Sequence, residues 1–99
     1  MFLNRGEHKL EKVIKALNDP VRRQILQILK KKSCSVGEIL EELDITGATL
    51  SYHLQVLRKA DLVLCERKGN TIIYQINTSV MEDMINWLLK LTRKEGKDE

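Results

Sequence analysis

The sequence predicts a mainly α-helical fold with a small β-hairpin, in the order α-α-α-α-β-β-α. Along most of the chain, apolar residues recur every three or four positions, which is the period of an amphipathic helix. Residues 62–76 instead hold β-branched and aromatic residues on both sides of a Gly-Asn pair, a pattern typical of a hairpin. The length of 99 residues fits one domain over 1–99, with an ordered core over 9–91 and a polar tail over 92–99.

The first two helices are separated by a stop signal, Asn18-Asp19-Pro20. Asp19 is a favourable N-cap, and Pro20 fits the first helical turn because the N–H that it lacks would have no helical partner there. We therefore expect the second helix to run from about Pro20 to Lys31, with Arg22 on its polar side. The first helix carries four apolar residues at helical spacing: Leu10, Val13, Ile14 and Leu17.

The next two helices predict a helix-turn-helix. Ser35 and Glu38 have the spacing of a capping box that begins the third helix, and Asp44 is expected to end it. Thr46 can cap the fourth helix, which we place at about Gly47 to Lys59. Two short helices joined by a turn of about three residues form this motif.

Residues 62–67 and 71–76 predict two strands joined through Lys68-Gly69-Asn70. This hairpin would stand beside the helix-turn-helix as a wing. The cross-strand pairs expected from the loop length are Arg67 with Ile72, Cys65 with Tyr74, and Val63 with Ile76.

The last helix has more apolar residues than one face can hold. We expect it to start at Ser79, in a second capping box with Glu82. Eight of the twelve residues 80–91 are apolar, so this helix needs two partners. One is its own domain, and we infer that the other is a second copy across a two-fold axis. The expected dimer interface comprises Leu10, Val13, Leu17, Met81, Met84, Ile85, Trp87, Leu88 and Leu91.

The charge distribution favours a polyanionic partner. The chain has 17 Lys and Arg against 14 Asp and Glu, a net charge of +3. Four of the acids fall within residues 38–44, so the rest of the chain carries 17 basic and 10 acidic residues. No apolar run approaches the length of a membrane span, no leader is apparent, and there are only two cysteines, so we expect a cytoplasmic protein.

The fourth helix and the hairpin tip are the candidate DNA-binding surfaces. A helix of this length fits the major groove, where outward side chains near its N-terminus reach base edges. Thr49, Ser51 and Tyr52 are the expected readers, while Thr46 can both cap the helix and contact a phosphate. The full expected set is Thr46, Gly47, Ala48, Thr49, Ser51, Tyr52, His53, Gln55, Arg58, Arg67, Lys68 and Asn70.

Three segments in order resemble the ArsR/SmtB family of bacterial and archaeal repressors. They are residues 16–26 (ALNDPVRRQIL), 49–57 (TLSYHLQVL) and 60–63 (ADLV). The resemblance spans about residues 9–91, and the ending is most similar to the SdpR-type branch. It implies a homodimeric winged helix-turn-helix repressor with its terminal helices at the dimer interface. His53, in the family's Ser-x-His-Leu pattern, is then implied to contact the DNA backbone.

The chain departs from the metal sensors of that family. Cys34 stands alone where the arsenic sensors carry paired cysteines, and the last helix has Glu82 and Asp83 but none of the histidines that the zinc sensors use. We therefore expect no metal and no other cofactor. Glycine at position 47, where relatives often carry a polar residue, can offer only its backbone to DNA.

Two alternatives remain open at the level of sequence. Thr49 and His53 can cap or pack instead of contacting DNA. The domain can also be a protein-interaction module whose acidic face, Glu38, Glu41 and Glu42, docks a basic partner. No grouping of residues resembles a catalytic site, so an enzyme is not expected. The releasing signal, whether a protein or a small molecule, is not indicated by the residues.

Overall fold

The computed structural model describes residues 8–93, so most of the polar tail expected over 92–99 lies outside the described residues. The mainly helical fold with a small hairpin is confirmed, and it forms a winged helix-turn-helix. The elements in order are α1 (His8–Leu17), α2 (Pro20–Lys31), β1 (Cys34–Ser35), α3 (Val36–Leu40), α4 (Gly47–Lys59), β2 (Val63–Lys68), β3 (Thr71–Ile76) and α5 (Thr78–Thr92).

The hydrophobic core lies where the helix-turn-helix meets the base of the wing. Ile25 of α2, Ile39 of α3 and Leu57 of α4 are fully buried. Leu62 and Val63 extend this core to the start of β2, and the one buried residue of α5 is Val80. Most of α5 therefore projects beyond the core. None of the helices within residues 8–93 has the length and hydrophobicity of a membrane span.

Local capping sets the starts of α2 and α3 as the sequence predicts. The Asp19 carboxylate accepts hydrogen bonds from the N–H groups of Val21 and Arg22, and Pro20 occupies the first turn of α2. Ser35 and Glu38 form the reciprocal capping box of α3. These contacts satisfy N–H groups that have no partner within the helix.

The predicted end of α3 is wrong. The helix ends at Leu40 rather than Asp44. The N–H of Glu42 donates to the carbonyl of Ile39, three residues back, and this hydrogen bond closes a tight turn instead of continuing the α-helix. This turn lets Leu43 and Ile45 both pack against the core. The connection to α4 spans residues 41–46 and is longer than the three-residue turn expected.

The predicted start of α5 is also wrong. The N-cap is Asn77, whose side-chain oxygen accepts from the N–H of Ser79, so the helix begins at Thr78. Asn77 is fixed by tertiary contacts as well. Its side-chain amide donates to the carbonyl of Asp61, and its backbone N–H donates to that of Leu62, each at 2.9 Å.

The sheet has three antiparallel strands in the order β1-β3-β2, one more than the sequence predicts. The expected pairs of Arg67 with Ile72, Cys65 with Tyr74 and Val63 with Ile76 are confirmed. The added strand β1 pairs Cys34 with Tyr74 from the other side. The element order is therefore α-α-β-α-α-β-β-α, and β1 ties the wing to the start of α3.

Candidate nucleic-acid interface

Helix α4 separates an apolar face from a polar one. Leu50, Leu54 and Leu57 point into the core because they recur at helical spacing. The opposite face is open to solvent, and the Tyr52 side chain is 59% exposed. The exposed members of the predicted set on or beside this helix are Thr46, Gly47, Ala48, Thr49, Ser51, Tyr52, Gln55 and Arg58.

The N-terminus of α4 combines a cap with an open backbone. The Thr46 hydroxyl accepts from the N–H of Thr49 at 3.1 Å and donates to the Thr49 hydroxyl at 3.0 Å. A Cβ built on Gly47 would meet no atom within 4 Å. The positive end of the helix dipole is therefore approachable by an anion such as a phosphate.

His53 does not lie on the exposed face, contrary to the role in DNA contact expected from the resemblance. Its side chain is only 8% exposed, and its Nδ1 lies 3.1 Å from Nη1 of Arg22. It packs instead, as the alternative interpretation allowed. The signal was available in the sequence, because residues 50, 53, 54 and 57 have the i, i+3, i+4, i+7 spacing of one buried face.

Arg22 is buried, although the sequence predicts that it lies on the polar side of α2. The residue is 9% exposed, and its side chain runs under the end of α1. Its Nε donates to the carbonyl of Ala16 at 2.7 Å, and its Nη2 donates to that of Lys15 at 3.2 Å. Arg22 shares its helical spacing with Ile25 and Leu29, which was the signal for burial.

The wing tip presents two cations at a tight turn. Arg67, Lys68 and Asn70 are exposed, and Arg67 Nη1 donates to the carbonyl of Gly69 at 3.5 Å. Gly69 has a φ of +64°, whereas Asn70 does not have a positive φ. This combination is typical of a type II′ turn, which suits the right-handed twist of a hairpin.

A shallow cleft joins α4 to the hairpin. Its lining includes Tyr74 of β3, which was not predicted as a site residue. Tyr74 is half-buried and is the one residue of β3 that pairs with both Cys34 and Cys65. The other residues of this lining are Ser51, Tyr52, Leu54, Gln55 and Arg58.

The described residues give no support for a metal or redox centre. No group of three or more His, Cys, Asp or Glu side chains within that part of the chain is arranged to hold a metal ion. Burial raises the pKa of the Cys34 thiol, and its Sγ donates to the carbonyl of Lys32. A protonated, buried thiol is a poor metal ligand and nucleophile. Cys65 is half-buried in the hairpin.

The acidic face does not form one cluster of free carboxylates. Glu38 serves the cap of α3 and lies 3.3 Å from Nζ of Lys32. The hydrogen bond from the Ser35 N–H and the nearby Lys32 lower the pKa of Glu38. Glu41 and Glu42 are exposed.

Helix α5 presents a large apolar surface to solvent. Ile85, Leu88 and Leu91 are each more than half exposed, and a groove runs between α5 and α1. Val13 is 1% exposed at the floor of this groove, so it belongs to the chain's own core and not to an interface, contrary to expectation. The partly buried members of the predicted set are Leu10, Leu17, Met81, Met84 and Trp87. Ile14 and Leu89 are exposed on the same two helices but do not belong to the predicted set.

Comparison with known proteins agrees with this architecture. A family model described as a helix-turn-helix domain matches residues 17–66. The transcriptional repressor SdpR of Bacillus subtilis is 39% identical over 89 residues, which cover 90% of this chain and 99% of that protein. The arsenical resistance operon repressor of Staphylococcus aureus is 31% identical over 77 residues, with coverage of 78% and 74%.

A solved structure of similar shape is the ArsR-like transcriptional regulator from Rhodococcus sp. RHA1. It superimposes with a TM-score of 0.81 at 24% identity and covers 86% of this chain and 78% of that one. This structural likeness supports the fold. The sequence identity to the two repressors shows the family. The chain belongs to the ArsR/SmtB family of winged helix-turn-helix transcriptional regulators.

Proposed function

We propose that this regulator represses transcription as a homodimer that occupies an imperfectly palindromic operator. The observation that carries the proposal is the exposed polar face of α4, flanked by a basic wing tip. Both relatives compared above are named as repressors. A protein that binds promoters acts where the chromosome lies, so a cytoplasmic location is part of the proposal.

Sequence reading is assigned to the N-terminal half of α4. In a dimer, the two copies of this helix enter successive major grooves about 34–36 Å apart. The hydroxyls of Thr49, Ser51 and Tyr52 can donate to or accept from base edges. Gly47 and Ala48 allow close approach without a long side chain, so contact there would come from the backbone.

Phosphate binding is assigned to the residues around this reading surface. Thr46 lies at the positive end of α4, while Gln55 and Arg58 lie further along its exposed face. Arg67 and Lys68 would approach the minor groove or its flanking phosphates. These contacts do not depend on sequence, and they make affinity fall as salt rises.

Dimerisation is assigned to the apolar face of α5 and the groove beside α1. Ile85, Leu88 and Leu91 are exposed in the single chain. Neighbouring exposed apolar side chains on one helix are typical of an interaction surface. A symmetric partner is the occupant we propose, because it also supplies the second α4 that a palindromic site requires.

The proposal is tested by binding and by transcription. The protein is titrated against DNA from upstream of its own gene and against random duplex of equal length, at several salt concentrations. We expect specific binding to the upstream DNA, and reduced transcription from that promoter in a purified system. Equal affinity for both duplexes, or increased transcription, would contradict repression by direct reading.

The protein-interaction module is not favoured by the comparisons, and the same titration tests it. Such a module would show no salt-dependent binding to duplex DNA. Replacing Glu41 and Glu42 by glutamine gives a matched control. On our proposal this variant binds the upstream DNA at least as well as the wild type, since it loses two negative charges.

A further inference from the structure

The contact between Arg22 and His53 can be a hydrogen bond in only one chemical state of the histidine. A guanidinium group has only donors and stays protonated in proteins. The 3.1 Å contact between its Nη1 and His53 Nδ1 therefore requires an acceptor lone pair on Nδ1. Only an imidazole that is neutral, with its proton on Nε2, can form this hydrogen bond.

Arg22 joins three helices at one buried point. It belongs to the first turn of α2, its Nε and Nη2 donate to the carbonyls of Ala16 and Lys15 near the end of α1, and its Nη1 donates to His53 of α4. No other side chain within the described residues hydrogen-bonds to both α1 and α4. The guanidinium of Arg22 therefore adds a hydrogen-bonded link between α1 and α4 to their apolar packing.

His53 also contacts the proposed reading surface. Its ring centroid lies 5.3 Å from that of Tyr52, with a tilt of 59° between the planes. Such a separation and tilt fall within the range of favourable aromatic pairs. A change in the position of the His53 ring would therefore directly alter the packing of Tyr52, an exposed side chain that we assign to base contact.

We propose that Arg22 and His53 are positioning residues for DNA binding, in which the guanidinium holds a neutral His53 and so sets the orientation of α4. This inference rests on the proposed function, because it explains how that function places α4 relative to α1. Neither residue touches DNA. Both act through Tyr52 and the exposed face of α4.

Protonation of His53 would undo this arrangement. A proton on Nδ1 removes the acceptor and places a second cation 3.1 Å from Arg22 Nη1. The acidic group at this junction is Asp19, whose Oδ2 lies 3.9 Å from Arg22 Nη1 and whose Oδ1 already accepts from the N–H of Val21 and Arg22. One carboxylate would then face two cations, and α4 would lose its hydrogen bond to Arg22, so its apolar packing alone would hold it beside α1 and α2.

The sign of the resulting pH effect separates this role from a phosphate contact. A histidine that touched phosphate would bind DNA more tightly when protonated, because it would gain a positive charge. A histidine that positions α4 by accepting from Arg22 would lose specific affinity under the same conditions. The two roles therefore predict opposite slopes.

The experiment uses an operator duplex selected from a random library by the wild-type full chain. Its affinity is measured relative to random duplex from about pH 8 to about pH 5, the range in which histidines change charge. Taking this ratio cancels partial unfolding, since unfolded molecules weaken both measurements alike. We expect the wild-type ratio to fall by roughly tenfold or more with acidification.

Three variants localise the effect. His53→Asn places an amide oxygen near the position of Nδ1, so the ratio should stay near the wild-type value at about pH 8 and change less than about threefold on acidification. His53→Leu removes the acceptor, so the ratio should already be roughly tenfold lower at about pH 8. His8→Asn replaces the chain's other histidine and should titrate like the wild type.

Nitrogen chemical shifts of the imidazole provide a second readout that needs no DNA. At about pH 8 we expect His53 in the tautomer with the proton on Nε2. A proton on Nδ1, a ratio that rises or stays level with acidification, or a His53→Asn variant that titrates like the wild type would each overturn the inference. If no operator can be selected from the library, both the proposed function and the positioning role are contradicted. If an operator is selected but one of these three results is found, only the positioning role is contradicted.

Discussion

Asp19 and Arg22 contact each other through both backbone and side chain at the start of α2. Oδ1 of Asp19 accepts from the Arg22 N–H at 3.1 Å, and Oδ2 lies 3.9 Å from Arg22 Nη1. Burial raises the pKa of Asp19, but hydrogen bonds from the N–H groups of Arg22 and Val21, together with the charge of Arg22, outweigh it. The net pKa lies below the ordinary value of 3.8.

This contact predicts how stability depends on acid. Because the folded pKa is lowered, the Asp19 carboxylate contributes stability fully above 3.8, and the contribution is lost as pH falls below 3.8 through the folded value. Asp19→Ala should cost about 1 kcal/mol at neutral pH, whereas Asp19→Asn retains a good cap and should cost less. Urea unfolding at neutral pH and near pH 3 measures both effects.

The asparagine variant is also the control for the acid effect. It should lose less stability than the wild type between the two pH values, because it has no carboxylate to protonate at this position. Equal losses in the two proteins would show that Asp19 does not contribute to acid sensitivity.

Substitution by alanine at Gly47 and at Gly69 should change the stability of the fold in opposite directions. Gly47 opens α4 with free space around its Cβ position, so Gly47→Ala should stabilise the fold by up to about 1 kcal/mol. Gly69 has a φ of +64°, so Gly69→Ala should destabilise it by about 1–2 kcal/mol despite equally open space. Thermal unfolding of both variants checks the pair, and a loss of stability in Gly47→Ala would contradict the open geometry.

Substitutions in α4 and in the wing tip should distinguish base-specific contacts from phosphate contacts. Replacing Ser51 and Tyr52 by alanine should remove about 1–3 kcal/mol of preference for the operator per lost base contact, with random-duplex affinity little changed. Replacing Arg67 and Lys68 by alanine should weaken binding to all duplexes alike. It should also make the slope of log affinity against log salt concentration less steep by about two. Titrations of operator and random duplex at several salt concentrations distinguish these outcomes. A loss of operator preference in the wing variant would contradict the assignment of the tip to phosphates.

Features with a local cause could be predicted from the sequence. Asp19 caps α2 because a carboxylate followed by proline satisfies the first turn without help from the rest of the chain. The hairpin register followed from its two-residue turn, since Gly69-Asn70 leaves only one pairing. The outward face of α4 followed from the spacing of its buried leucines.

Features decided by tertiary contacts could not be predicted in the same way. β1 has two residues and pairs only because β3 lies beside it, so it leaves no periodic pattern. Asn77 takes the cap of α5 because it is also held by the carbonyl of Asp61. Arg22 and His53 have the spacing of buried residues. The polarity of Arg22 nevertheless favours solvent exposure, and the family resemblance implies a DNA contact for His53, so only their mutual contact in the structure reveals the buried pair.

The proposed dimer is tested by a pair of matched substitutions of exposed leucines. Leu88 of α5 is 51% exposed and Leu64 of β2 is 43% exposed, yet only Leu88 belongs to the proposed interface. Leu88→Glu should bury an unpaired charge twice in a symmetric interface and weaken the dimer by roughly a hundredfold or more. Leu64→Glu should leave the dimer intact. Sedimentation at micromolar concentrations measures both, and operator binding should fall with the dimer, because one α4 alone reads half of the site. A wild type that sediments as a monomer, or a Leu88→Glu variant that remains dimeric, would require a different partner for the apolar face of α5.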